Sequence, residues 1–66
     1  MKPREFLRKL RKAGVTVIKD KGNGSHVRLV LMGKKTTLPW HGDRDLGPKL
    51  MREICKQLGL DLEDIL

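Results

Sequence analysis

A histidine and an arginine two residues apart on one strand can cleave a phosphodiester. The run Ser25-His26-Val27-Arg28-Leu29-Val30-Leu31-Met32 is aliphatic and β-branched enough to read as a strand. Side chains alternate faces along such a strand. Val27, Leu29 and Leu31 share one face, an apolar set suited to a core. His26, Arg28, Val30 and Met32 share the other. His26 is therefore predicted to point away from the core, with Arg28 close enough on the same face to hold a shared phosphate. An imidazole that titrates near neutrality can move a proton at a 2′-hydroxyl or at a leaving oxygen, while a cation steadies the phosphate charge. Lys19, at the end of the preceding strand, and Lys21, in the turn itself, are further candidate phosphate contacts. Gly24 and Ser25 bring the backbone up to His26. Periodicity alone leaves the other reading open, in which His26 is an ordinary surface histidine. A one-histidine site also needs a second proton carrier, either another side chain or water.

Other chemistry finds less support. His41 lies in a loop beside Trp40 and reads as loop packing or a helix cap. Cys55 falls in an apolar helical pattern and reads as a small core residue. It is the one cysteine, so no internal disulfide forms, and no Cys/His grid suits zinc. The acidic residues at 61–64 suit a solvated helix start. Neither GxxxxGK[ST] nor GxGxxG occurs, so no nucleotide cofactor is expected. No metal or other cofactor is expected either. Trp40 could stack on a base, although covering the core edge is the plainer role.

The charge is uneven. The net charge is +7, but residues 1–41 carry +9 and residues 42–66 carry −2. A basic field over two-thirds of a small chain suits a polyanion, through phosphate contacts and counterion release. The pairs Arg8-Lys9, Arg11-Lys12 and Lys34-Lys35 are further candidate phosphate contacts. No apolar run approaches the roughly 20 residues of a membrane helix, and no signal peptide is visible. A cytoplasmic protein without membrane contact is expected.

Positioning these residues requires a scaffold that 66 residues can build. Phe6, Leu7, Leu10 and Ala13 recur at helical spacing between Pro3, suited to a first turn, and Gly14, suited to a helix end. Val15–Lys19 reads as a short strand, and Asp20–Gly24 as a turn. Gly33-Lys34 reads as a tight turn, leading to a third strand over Lys35–Pro39. A polar loop follows. Pro48–Leu58 then reads as a second helix with Leu50, Met51, Ile54, Cys55 and Leu58 as its apolar stripe. Asp61 caps a short final turn, Leu62–Leu66. With no repeat or linker, residues 1–66 are expected to form one domain. The fold class is α+β, ordered α-β-β-β-α, with a three-stranded antiparallel sheet carrying both helices on one face.

That order resembles the HicA family, the toxins of HicA–HicB toxin–antitoxin pairs. The shared features are Gly24-Ser25-His26 on the second strand, Pro39-Trp40-His41 after the third, and Ile54-Cys55-Lys56-Gln57-Leu58-Gly59-Leu60 on the last long helix. The resemblance covers nearly the whole chain. It implies a fold like a double-stranded-RNA-binding domain and a metal-independent ribonuclease that cuts messenger RNA. It implies that His26 is catalytic and that a HicB-type antitoxin covers it. The free toxin is then expected to be monomeric. Two features depart from the family. Val27 stands where many members have a second histidine, and the turn carries an extra Gly22-Asn23. Two readings compete with a nuclease: an RNA-binding module of the same shape without catalysis, and a domain that meets only an acidic protein partner.

Overall fold

The computed structural model describes residues 1–19 and 26–66. Its elements run α1 (Pro3–Lys12), β1 (Thr16–Lys19), β2 (His26–Leu31), β3 (Lys34–Pro39), α2 (Pro48–Gln57) and α3 (Leu62–Ile65). This is the expected α-β-β-β-α order, with the capped final turn forming α3. In that cap the Asp61 carboxylate accepts from the Glu63 backbone N–H at 3.1 Å.

Local chemistry sets the helix limits. Pro3 and Pro48 sit in the first turns of α1 and α2, where an N–H would have no intrahelical acceptor. Both helices end alike. Gly14 and Gly59 take φ of +97° and +77°. The chain then folds back, so that the Val15 N–H reaches Leu10 O at 3.0 Å and the Leu60 N–H reaches Cys55 O at 2.8 Å. These bonds satisfy carbonyls that the helix end would otherwise strand.

The three strands form one antiparallel sheet in the order β1-β2-β3, which makes β2 the central strand. The hairpin between β2 and β3 differs from the expected one. Leu31 pairs with Lys34, so Lys34 already belongs to β3 and the turn is Met32-Gly33 rather than Gly33-Lys34. A two-residue turn matches the strand twist when both of its residues have positive φ. Here they are +48° at Met32 and +82° at Gly33. Methionine is a costly choice for the left-handed region. Met32 is 93% exposed, so it gives up no packing in return. Met32→Asn should therefore stabilise the protein by about 0.5–1 kcal/mol. A urea titration reads this as a raised midpoint with an unchanged slope.

Parity on β2 follows the sequence. Val27 and Leu29 are buried and Leu31 is half-buried, whereas His26 and Arg28 are exposed. α1 lies against β1 and α2 against β3, on the face that Val27 and Leu29 present. Phe6, Leu7 and Leu10 of α1 and Met51, Ile54 and Cys55 of α2 complete one buried cluster with Leu38, Leu58 and Leu62. Leu50 does not share in it, contrary to the apolar pattern, and is 36% exposed. At 3.6 residues per turn, Met51, Ile54, Cys55 and Leu58 centre a stripe from which Leu50 stands about 90° away. Gln57 ties α2 to the sheet, accepting from the Thr36 hydroxyl and donating to Glu53 at 3.3 Å. Burial, and secondarily the Asp61 carboxylate, push the Cys55 thiol above its ordinary value. It is held as a neutral core residue rather than as a nucleophile.

The loop between β3 and α2 is pinned to the start of α1. The Leu46 N–H donates to Met1 O at 2.8 Å, and the Lys2 ammonium donates to Asp43 O at 2.9 Å. Leu46 is buried, which anchors the loop from beneath. No helix among the described residues is long and apolar enough to cross a membrane.

Candidate active site

His26 opens β2 opposite Pro39, the last residue of β3. There it lines a concavity of about 460 Å³ together with Arg4, Leu7, Arg11, Lys19, Val27 and Trp40. Three elements converge on it. α1 contributes Arg4, Leu7 and Arg11. The end of β1 contributes Lys19, which pairs with Val27 at the start of β2. Trp40 follows β3 directly. Arg4 and Arg11 are seven residues apart and so lie on the same side of α1, two turns from each other. They border the stripe formed by Phe6, Leu7 and Leu10 and present charge where the buried face ends. The floor is apolar, made by Leu7, Val27 and the half-buried Trp40.

The described lining therefore holds one imidazole, three basic side chains and no carboxylate. Such a set of cations attracts a phosphate. Among the described residues no group of three or more His, Cys, Asp or Glu side chains is placed to hold a metal.

Of the residues singled out from the sequence, His26 and Lys19 meet in this concavity. Arg28 projects from the same face of β2 as His26, but lines a separate groove on the open side of the sheet, with Ile18, Val30, Lys35 and Thr37. His41 lies apart too, in a depression with Pro39, Arg44, Leu46 and Leu50. Lys21, Gly24 and Ser25 fall outside the described residues. Of the basic pairs, Arg11 joins the site, whereas Arg8, Lys9 and Lys12 line a depression on the other flank of α1 with Asp64, Ile65 and Leu66. Arg4 went unnoticed in the sequence. Its spacing to Arg11, either side of Leu7, carried the available signal.

A basic α+β domain with one exposed histidine in a cationic, apolar-floored hollow has the make-up of a protein that handles phosphodiesters. Comparison with known proteins gives it a family. The family model described as "HicA toxin of bacterial toxin-antitoxin" matches residues 3–60. A protein of Pseudomonas fluorescens (strain Pf0-1) named "Probable mRNA interferase HicA" is 45% identical over 60 residues, covering 91% of this chain and 97% of that one. A protein of Photorhabdus laumondii subsp. laumondii named "Probable mRNA interferase HicA 1" is 39% identical over 61 residues, covering 91% and 100%. No solved structure gives a significant match. The chain belongs to the HicA toxin family, and so to a toxin–antitoxin system with a cognate antitoxin.

Proposed function

We propose that this chain is an endoribonuclease that cuts messenger RNA without a metal ion, with His26 as its catalytic residue, and so arrests translation and growth. The observation that carries the reading is the placement of His26 among Arg4, Arg11 and Lys19 in one hollow. The names of the relatives agree with it.

In this mechanism His26 takes the proton of a ribose 2′-hydroxyl. The freed oxygen attacks the adjacent phosphorus, forming the 2′-O–P bond as the P–O5′ bond breaks. The products are a 2′,3′-cyclic phosphate and a 5′-hydroxyl, the latter protonated by water or by a second acid. Negative charge builds on the phosphate oxygens along this path, and Arg4, Arg11 and Lys19 are the cations that stabilise it. Arg28 and Lys35, on the open sheet face, hold flanking backbone. Lys21, Gly24 and Ser25, next to His26 in the chain, complete the contacts with RNA.

The cognate antitoxin is a HicB-type protein whose acidic surface covers the hollow, complementing the +9 charge of residues 1–41. The toxin acts in the cytoplasm, where its substrate is made, and is monomeric when free. The family match over residues 3–60 and the single buried cluster support reading residues 1–66 as one domain.

A growth experiment tests this. Induced expression of the chain should stop growth and shorten cellular transcripts, and co-expression of the small reading frame beside its gene should restore both. Normal growth and full-length transcripts, with the protein present in the soluble fraction, would overturn the proposal.

A further inference from the structure

We propose that Trp40 is the stacking wall for an unpaired base, so that the hollow takes one single-stranded nucleotide and the chain selects looped or single-stranded RNA over continuous duplex. This rests on the reading of the hollow as a site for RNA, and adds the substrate class and the residue that sets it.

The position of Trp40 argues for it. His26 and Pro39 face each other across β2 and β3, and Trp40 is the next residue along. The indole is thus one residue beyond the point opposite the imidazole. It lies just past the end of β3, on the helix side with Leu38. Its ring packs against the buried cluster, yet is only half-buried and lines the hollow. The backbone bond from Leu46 to Met1 joins the loop after Trp40 to the chain just before Arg4. Base wall and phosphate cations are held to each other by that closure.

The make-up of the hollow points to a nucleotide rather than a bare phosphate. Phosphate recognition needs cations alone, whereas this hollow adds the partly exposed indole of Trp40. Its volume of about 460 Å³ falls within the size range of small-molecule sites. That is room for one nucleotide. A base reaches such a floor only if it is unstacked, as in a loop or a single strand. The depression on the far flank of α1 is similarly basic, but contains Asp64 and no aromatic ring. It has the means to touch a backbone and no surface on which to stack a base.

Trp40 is the one tryptophan of the chain, so its fluorescence reports on this wall alone. The probe is an uncleavable 2′-O-methyl oligonucleotide, single-stranded or annealed to its complement. Binding is measured independently by the anisotropy of a label on the probe. The single strand should quench Trp40 saturably at the concentrations where anisotropy rises, and the duplex should not. Trp40→Leu should weaken single-strand binding roughly 5- to 150-fold, the range that one stacked base spans, and Trp40→Phe should restore most of it. Thermal melts separate affinity from stability. The proposal is overturned if single strand and duplex quench alike, if the strand binds without quenching, or if Trp40→Leu lowers only the melting temperature. Quenching by a chain that cuts no RNA would keep the stacking role and remove the nuclease. Cleavage without quenching would do the reverse.

Discussion

Leu29→Ala is expected to cost about 2–5 kcal/mol, the cost of truncating a well-packed core leucine. Leu29 is fully buried on the central strand, between Val17 on β1 and Thr36 on β3. Helices cover its face, so the vacated space has rigid walls on every side and little freedom to collapse. A chain of 66 residues buries only about 60% of its unfolded surface, and its total stability is about 3–10 kcal/mol. The single truncation therefore consumes much or all of the folding free energy. Urea unfolding followed by circular dichroism checks it. A midpoint within experimental error of the parent would contradict the assignment of Leu29 to the centre of the core.

His26→Ala should do the opposite. Removing a positioned proton carrier costs about 10²–10⁴-fold in rate. The side chain is exposed at the first residue of β2, so no core cavity opens, and the melting temperature should move by about 2–4 °C at most. Cleavage rate and thermal melt, measured on one preparation, give both halves. Loss of activity accompanied by a large fall in melting temperature would mean that His26 supports the fold rather than the chemistry. Arg4→Ala and Arg11→Ala offer a graded comparison, since each would remove charge at the phosphate and leave the proton carrier in place.

Much of the fold could be read from the residues because local and global preferences agree here. The 3.6-residue spacing in α1, the proline starts, the glycine ends and the alternation on β2 all point one way. The exceptions have local causes. The β2–β3 turn lies one residue earlier than expected because Met32 takes a positive φ together with Gly33, and nothing about a methionine advertises that. Leu50 falls out of the core because an apolar residue at the border of a stripe is indistinguishable in sequence from one inside it.

The site was legible only in part. Strand parity gave the face of His26, but parity reports on one strand. The cations beside His26 come from α1, and where a helix crosses a sheet is set by tertiary packing. Arg28, two residues from His26 in sequence, lines another groove, while Arg4, more than twenty residues away, shares the hollow. Gln57 likewise belongs to the motif of the last long helix, and its bond with Thr36 shows a structural use for it that sequence alone could not supply.

The central claim is that His26 cuts RNA without a metal. The direct test incubates a structured messenger RNA with the purified chain, or with its His26→Ala variant, in EDTA, and separates the products on a denaturing gel. The parent should yield fragments ending in 2′,3′-cyclic phosphate, and the variant should leave the RNA whole. Equal cleavage by both proteins, or cleavage by the parent only after a divalent metal is restored, would contradict the account.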